Sequence, residues 1–385
     1  MSRQDFEIPL VFQHRIVFTR RAFALDNPEL AELLAAGGGR RVLVLLEDAV
    51  AAAWPGLQEA IGSYIRRLDL EFCGVLLHPG GEAVKADDSL VGQLWQTIDR
   101  HHLDRHSYVL AIGGGAFLDV AGFAAATAHR GVRMVRFPTT TLSQADSGVG
   151  VKCGINAFGK KNWVGSFAVP FAVINDFDLL ASQAPETNRA GLIEAVKVAL
   201  VKDRSFFDWI EAHLPELGRL EFPALAYCVE HSALLHARHI ASGGDPFESG
   251  SSRPLDFGHW AAHKLEALTN YQLSHAPAVA IGVALDTLYS VHSGLLAPEL
   301  GERILAVLHG LGMATYHPAL DWTDDSGRRP VLTGLAEFRE HLGGELTVLL
   351  LSGLGTGVNV HHLDHGLLVR CIGELRNRVP VIGDQ

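Results

Sequence analysis

The chain has 385 residues, of which 48% are hydrophobic and 19% charged, and this suits a globular enzyme of two domains. The formal net charge of −11 and the lack of a basic stripe argue against a nucleic-acid partner. The four cysteines form no CxxC pair, which argues against a disulfide framework and against a thiolate zinc site. No apolar run is long enough to cross a membrane, and the first ten residues do not resemble a signal peptide. We therefore expect a cytoplasmic protein without a membrane partner.

Short apolar runs in the first half of the chain predict buried strands of a parallel sheet. These runs are 41–46, 71–77, 107–112 and 132–137. Helix-like stretches lie between them at 48–67, where Pro55 predicts a break, and at 86–103. Strands that alternate with helices predict an α/β fold with a doubly wound, Rossmann-like sheet. Because ligands bind at the carboxyl ends of such strands, we expect the loops 80–82, 113–115 and 138–141 to share one edge.

The pattern changes at about residue 177, where long amphipathic stretches replace the strand signals. The stretches are 188–213, 222–242, 256–270, 275–297, 299–313 and 361–377. One further strand is predicted at 345–351. The sequence thus predicts a Rossmann-like domain over residues 1–177 and an all-helical C-terminal domain over residues 178–385.

The segment AIGGGAFLDVAGFAAA (111–126) has three glycines between a predicted strand and a predicted helix. Glycines let the backbone approach a ligand closely, and a helix N-terminus attracts anions, so a pyrophosphate suits this position. A tight strand-to-helix turn without a ligand is the alternative. Glu47, at the end of the first strand, could bind a ribose hydroxyl; Asp48 is its rival, and a helix cap is the plainer role for either.

Lysines beside glycines mark the segment 145–165, which we predict to be an ordered loop. Its polar residues Asp146, Lys152, Lys160, Lys161 and Asn162 suit the binding of phosphate or carboxylate. A solvated surface loop is the alternative.

The metal signal lies in the second half of the chain. Glu194 and Lys197 share a helix face in an apolar stretch, His259 and His263 share another, and His275 opens the next helix. A carboxylate and two imidazoles can bind Zn²⁺ and leave a position for substrate. The alternatives are a buried Glu–Lys ion pair and hydrogen-bonded core histidines.

Together these motifs resemble the dehydroquinate synthase (sugar phosphate cyclase) family over roughly residues 40–355. The run 113–167 looks like the most characteristic stretch of that family, and GLIEAVK, LDFGH and SHAPAVAIG follow in the family's order. The segment 338–355 looks most like the EboD-type branch. The resemblance implies an N-terminal NAD-binding domain, a helical metal- and substrate-binding domain, and a homodimer.

The resemblance also implies a role for each matching residue. The implied metal ligands, for Zn²⁺ or Co²⁺, are Glu194, His259 and His275. The implied NAD contacts are Glu47, Glu82, Lys85, Gly114, Gly115, Asp119, Thr139, Thr140 and Lys161. The implied catalytic residues are Asp146, Lys152, Lys197 and His263. The implied substrate contacts are Arg130, which would reach the phosphate across the dimer interface, and Asn162, His236, Arg253 and Asp256.

The chemistry that the resemblance implies is transient oxidation of a ring hydroxyl, phosphate elimination, reduction and aldol closure to a carbocycle. The chain departs from dehydroquinate synthases in its substrate residues: Asp256 and His236 stand where they carry Asn and Lys, and HAP (275–277) replaces HGE. Their late DKK motif is replaced by Phe338-Arg339-Glu340. An acidic residue and missing lysines disfavour a substrate carboxylate, so we expect a heptulose phosphate such as sedoheptulose 7-phosphate.

Three alternatives remain at this stage. 3-Dehydroquinate synthase proper stays within the family. A glycerol or glycerol-1-phosphate dehydrogenase shares the architecture but would consume NAD⁺ in net turnover. A non-catalytic homologue would be expected to lose at least one of Glu194, His259 and His275.

Overall fold

A computed structural model of the chain describes residues 3–87, 89–158, 160–243, 255–341 and 344–378. The chain divides into two units. One comprises the residues up to Thr139 together with Gly150–Ser182, and the other comprises Thr140–Val149 and the residues from Gln183 onward. The domain boundary at residue 177 stays a prediction. No helix in the described parts of the chain is long and apolar enough to cross a membrane.

A six-stranded parallel sheet and a hairpin organise the first unit. The strands are β1 (Ile16–Thr19), β2 (Arg41–Glu47), β3 (Glu71–His78), β4 (Tyr108–Gly113), β5 (Arg133–Pro138), β6 (Lys152–Ala157), β7 (Lys160–Phe167) and β8 (Ala172–Asp176). The helices are α1 (Glu29–Gly37), α2 (Asp48–Ala53), α3 (Leu57–Arg67), α4 (Ser89–Arg100) and α5 (Gly115–Thr127). The sheet order is β1-β8-β5-β4-β2-β3, and the predicted doubly wound α/β sheet is confirmed.

The apolar run of β2 is buried on both faces of the sheet. Val42, Val44 and Leu46 pack in a core with residues of α1 and α3, whereas Leu43 and Leu45 pack with α4 and α5. Alternate side chains of a strand point to opposite faces, so a central strand between two helical layers must be apolar throughout. This explains why a continuous hydrophobic run predicted the strand correctly.

The prediction of an ordered loop over residues 145–165 is wrong in its secondary structure. Ser143–Ser147 makes a helical turn, and β6 and β7 then pair as an antiparallel hairpin. Gly154 and Gly165 permit this pairing, because a Cβ on either residue would lie 2.7 Å from a carbonyl oxygen of the facing strand. Glycines that indicate a loop from sequence here allow two strands to approach closely.

The second unit is mainly helical. Its helices are α6 (Pro185–Gly191), α7 (Ile193–Lys202), α8 (Arg204–Ala212), α9 (Leu214–Gly218), α10 (Phe222–Ser242), α11 (His259–Leu268), α12 (His275–His292), α13 (Pro298–Gly310), α14 (Gly334–His341) and α15 (His365–Arg378). Two strands, β9 (Val348–Gly353) and β10 (Thr356–Val360), form a hairpin beside them. The amphipathic stretch over 188–213 is divided between helices, because Asp203 leaves the helical conformation and caps α8 through the Phe206 N–H at 3.0 Å.

Helices α11 and α12 meet through backbone at two glycines. A Cβ on Gly282 would lie 1.9 Å from the Gly258 carbonyl oxygen, and a Cβ on Gly258 would lie 2.5 Å from the Val283 nitrogen. Gly258 also has a left-handed backbone with φ of 79°. This contact fixes the point at which α11 begins, and His259 is the first residue of α11.

We expect Gly282→Ala to lower the free energy of unfolding by about 3 kcal/mol, because its methyl group must displace backbone rather than a flexible side chain. The matched control is Gly373→Ala, in α15, where a Cβ meets nothing within 4 Å. We expect that variant to be more stable by about 0.5–1 kcal/mol. Urea denaturation of both variants measures the difference. Equal stability of the two alanine variants would contradict the close approach.

Candidate active site

Glu194, His259 and His275 converge in the second unit. One carboxylate oxygen of Glu194 and one ring nitrogen of each histidine all lie within 4.8 Å of one another. Glu194 lies in the first turn of α7, whereas the histidines are the first residues of α11 and α12. Three helix starts thus bring together residues that are widely separated in the sequence.

The charge states of two of these residues suit a divalent metal. Glu194 is buried: its Oε2 pairs with Lys197, whereas its Oε1 has no hydrogen bond, and burial raises the pKa of this carboxyl group against the lowering effect of Lys197. Burial, helped by Lys197, lowers the pKa of His259 far below its ordinary value, so its imidazole is neutral. A carboxylate with one oxygen that is not hydrogen-bonded and a neutral imidazole are donors that Zn²⁺ accepts. The three residues therefore fit a divalent cation.

A buried ammonium group lies beside this set. Lys197 Nζ pairs with Glu194 and lies 3.8 Å from Asp146 Oδ2. Burial lowers the pKa of Lys197. The negative charges of Asp146 and Glu194 raise this pKa by more than burial lowers it, so the net shift is upward. Burial raises the pKa of Asp146, but Lys197 and His236 hold it well below its usual range. Lys197 and Asp146 are therefore both charged at neutral pH.

The other predicted site residues of the second unit lie around Lys197 and the proposed metal ligands. His236, on α10, pairs through Nδ1 with Asp146 Oδ1. Asp256 contributes to the raised pKa of Lys197. The exposed ring of His263 lies 5.5 Å from that of His259 and 6.0 Å from that of His275. Thr140 belongs to this unit too, where its hydroxyl contacts the Ser143 hydroxyl at 2.7 Å.

Two buried carboxyl groups escaped the sequence analysis. Glu266 accepts a hydrogen bond from His275 Nδ1 at 3.2 Å. Asp286 accepts from the Gly258 N–H at 3.0 Å and from the Trp260 indole N–H at 2.9 Å. The signals were present in the sequence: Glu266 follows His259 at a helical spacing, and Asp286 interrupts an apolar stretch.

In the first unit, Glu47 lies at the start of the glycine-rich helix. Its carboxylate accepts a hydrogen bond from the Gly114 N–H at 2.8 Å and makes no side-chain cap of α2. Burial raises the pKa of Glu47, while the bond from Gly114 lowers it. Gly114 and Gly115 begin the 13-residue helix α5 directly after β4. Two glycines at a helix N-terminus, at the carboxyl end of a central strand, fit a pyrophosphate.

The remaining predicted NAD contacts form pairs near this helix. Lys85 is buried and pairs with Asp119 at 2.5 Å, and Lys161 Nζ lies 3.1 Å from Glu82 Oε1. Thr139 is buried directly after β5, where its N–H bonds to the Gly113 carbonyl at 3.1 Å. The structure therefore brings the glycine-rich helix, Glu47 and β5 together at one edge of the sheet, as the sequence predicts.

Three predicted substrate or catalytic residues are exposed in the first unit: Lys152 begins β6, Asn162 lies in β7 with φ of 52°, and Arg130 lies in a turn with φ of 61°. Arg253 lies outside the described residues.

The sequence analysis also missed Arg136, a buried residue of β5 that donates to the Gly150 carbonyl at 2.6 Å and to the Lys152 carbonyl at 3.3 Å. A single arginine in a strand gave no signal of this contact.

Known proteins resemble the whole chain. The family profile for the 3-dehydroquinate synthase N-terminal domain matches residues 75–190, and that for the C-terminal domain matches residues 191–325. The chain belongs to the 3-dehydroquinate synthase family. A 3-dehydroquinate synthase of Paracoccus denitrificans is 36% identical to it, over 90% of this chain and 92% of the relative. Membership of this family makes the chain an enzyme, a cyclase of the lyase class.

Solved structures of two cyclases share the fold. A 2-epi-5-epi-valiolone synthase from Streptomyces hygroscopicus, with NAD⁺ and Zn²⁺ bound, has a TM-score of 0.86 and 28% identity. The match covers 97% of this chain and all of that one, 100%. A 2-deoxy-scyllo-inosose synthase in complex with carbaglucose-6-phosphate, NAD⁺ and Co²⁺ has a TM-score of 0.75 and 21% identity, over 93% of this chain and 96% of that one. The second match supports the fold alone.

We expect Asp286→Asn to change how stability depends on pH. Burial raises the pKa of Asp286 to about 7 from 3.8, so the folded state prefers the neutral carboxyl group. Its stabilising contribution is complete below about pH 4 and is lost as the pH rises through about 7, by up to about 4 kcal/mol. The stability of the wild type should therefore fall relative to the Asn variant over this window.

Urea denaturation of both proteins at several values between pH 4.5 and pH 8.5 tests this. Asp325→Asn, at an exposed position, is the control and should follow the wild type. A constant difference between the wild type and Asp286→Asn at all pH values would show that this carboxyl group does not titrate there.

Proposed function

We propose that the chain is an NAD- and metal-dependent sugar phosphate cyclase that eliminates phosphate from a heptulose phosphate such as sedoheptulose 7-phosphate. The observation that carries the proposal is the group of Glu194, His259 and His275 with a buried, charged Lys197 beside it. In this proposal the protein works in the cytoplasm as a homodimer, as the sequence analysis expects.

The metal would be held by Glu194, His259 and His275, and the NAD pyrophosphate by the N-terminus of α5. When bound, NAD supplies reversible hydride transfer, and the cation orients and acidifies the substrate hydroxyl. The likeness to a valiolone synthase whose structure contains NAD⁺ and Zn²⁺ supports this assignment.

We assign Lys197 to electrostatic stabilisation. Its raised pKa keeps the ammonium group protonated, and its burial removes competing water, so it stabilises negative charge that develops on a substrate oxygen. Asp146 keeps this charge in place and orients His236. Lys152 and Arg130 are exposed cations that we assign to the phosphate group of the substrate.

His263 is our candidate for proton transfer. Its ring is exposed, yet lies within 6.0 Å of the rings of both metal-binding histidines. Imidazole is a common general acid and base in enzymes, and a histidine beside the proposed metal ligands suits this role. The exposed ring of His263 can reach a bound substrate, whereas the buried ring of His259 cannot.

The choice of substrate rests on Asp256 and His236. Asp256 adds negative charge near Lys197, and His236 uses its Nδ1 to pair with Asp146. A substrate carboxylate would approach this negative charge, and a like-charge contact costs several kcal/mol. A carboxylate-free heptulose phosphate avoids this cost. The rival is 3-dehydroquinate synthesis itself, which the 36% identity to the Paracoccus enzyme favours.

The first test measures phosphate release by the purified enzyme with NAD⁺ and Zn²⁺ or Co²⁺. We expect release from sedoheptulose 7-phosphate without accumulation of NADH, because the hydride is returned in each cycle. The carboxylated precursor of dehydroquinate is tested in parallel, and absorbance at the NADH band is recorded throughout.

Each other result rejects a definite part of the proposal. Release from the carboxylated precursor alone would keep the cyclase and reject the substrate. Steady NADH formation with a polyol would indicate a dehydrogenase of the glycerol type. Phosphate release without added NAD⁺ and metal, from protein stripped of both, would reject their role.

The second test exchanges the residues that we assign to specificity. In the double variant His236→Lys, Asp256→Asn, we expect the ratio of kcat/KM for the carboxylated precursor to that for the heptulose phosphate to rise by about 10-fold or more. A factor of 10 corresponds to about 1.4 kcal/mol, which one added cation and one removed anion can supply. Asp325→Asn removes an exposed carboxylate and should leave the ratio unchanged. An unchanged ratio in the double variant would assign specificity to other residues.

A further inference from the structure

The two histidines of the proposed metal site are each held through Nδ1. His259 Nδ1 lies 3.1 Å from the Phe257 carbonyl oxygen, and His275 Nδ1 lies 3.2 Å from Glu266 Oε2. A carbonyl oxygen and a carboxylate oxygen can only accept, so each Nδ1 must carry the hydrogen. In a neutral imidazole this leaves the lone pair on Nε2.

His275 therefore connects two carboxylates through opposite sides of its ring. Its Nδ1 faces Glu266, and its Nε2 lies 3.9 Å from Glu194 Oε1. The first distance is a hydrogen bond, whereas the second is too long for one. A separation near 4 Å between two ligand atoms leaves room for a cation that both contact, because metal–ligand distances are about 2 Å.

The chain around Glu266 fixes this geometry. Glu266 lies near the end of α11 with 2% of its surface exposed, and its carbonyl accepts from the Tyr271 N–H at 2.7 Å. The Thr269 hydroxyl donates to the Leu265 carbonyl at 2.9 Å and accepts from the Leu273 N–H at 3.2 Å. The turn between α11 and α12 is thus tied to α11 by its backbone and by the Thr269 hydroxyl, and it returns His275 to the Glu266 carboxylate.

We propose that Glu266 is a positioning residue for the metal site: its carboxylate fixes the tautomer and the ring rotation of His275, so that Nε2 faces the cation. The proposal rests on the proposed function, and it assigns a role to a residue that the sequence analysis did not select. Partners of this kind raise the basicity of a metal-binding histidine, and their loss commonly costs 10–100-fold in metal affinity.

A direct ligand role for Glu266 is the competing assignment, because ligand atoms of His263, Glu266 and His275 also lie within 4.8 Å of one another. The two carboxylates differ, however. Oε1 of Glu194, which faces His275 Nε2, is buried without a hydrogen bond, whereas Glu266 already accepts one from His275. Glu194 has the coordination capacity that a ligand needs, and Glu266 is committed to orienting one.

The test measures binding of Zn²⁺ and of Co²⁺ to metal-free protein without substrate, for the wild type, Glu266→Gln and Glu266→Ala. Gln keeps an oxygen that can accept from His275 but loses the charge, so we expect about 10-fold weaker binding; Ala loses the acceptor, so we expect about 100-fold. The visible absorption of bound Co²⁺ should keep its wild-type shape in both variants, because the three ligands are unchanged. Glu337→Gln is the matched control and should bind as the wild type does, because Glu337 is an exposed residue of α14 that pairs with Lys264 of α11, the helix that carries Glu266.

Wild-type affinity in both Glu266 variants would overturn the proposal. A changed Co²⁺ spectrum, equal to that of Glu194→Gln, would overturn it in favour of a direct ligand. Circular dichroism and thermal unfolding of the metal-free variants separate metal affinity from folding, and Glu266→Gln carries the test if the alanine variant does not fold. Weakened metal binding in the variants together with a wild type that releases no phosphate would reject the cyclase alone. A wild type that binds neither cation would reject both.

Discussion

The second unit depends on one constraint, which is that the Lys197 ammonium group is buried and must stay charged. Asp146 and Glu194 satisfy it from two elements, the helical turn at 143–147 and α7. His236 adds a third element by pairing with Asp146 from α10. Removal of one partner would leave an uncompensated buried charge, which is far more costly than loss of an exposed pair. The position of each charged group is therefore set by the others.

This constraint also determines what the proposed metal position can accept. Glu194 shares the single charge of Lys197 with Asp146, and its buried Oε1 lacks a hydrogen bond. The adjoining imidazole of His259 is neutral because burial and Lys197 lower its pKa. Excess negative charge beside the neutral imidazole of His259 is an environment that a divalent cation stabilises. A cationic side chain in place of the metal would balance the negative charge, but it could not accept the lone pairs of the two imidazoles.

Sequence predicted the elements whose signal is local and missed those whose cause is tertiary. The apolar run 41–46 predicts β2 because both faces of that strand are buried, and the helical spacing of His259 and His263 is set by one helix. The β6–β7 hairpin was predicted as a loop, because its glycines serve a contact between strands that no local pattern encodes. Glu266 and Asp286 acquire their roles only when α11 and α12 pack together. The same limit applies to the predicted site. The local sequence shows which residue types are present, but their convergence depends on how the helices pack.

The overall sequence identity to a relative and the choice of substrate depend on different residues. The 36% identity to a 3-dehydroquinate synthase is averaged over about 350 aligned positions, most of which serve the sheet, the helical core and the shared chemistry. Discrimination between a carboxylated and a carboxylate-free substrate needs only a few kcal/mol, and one or two charges beside the reacting group supply that. Asp256 and His236 lie beside the Lys197–Asp146 pair, where a change of charge acts at short range. A family member can therefore keep the fold and the metal ligands of a dehydroquinate synthase and still require a different sugar phosphate.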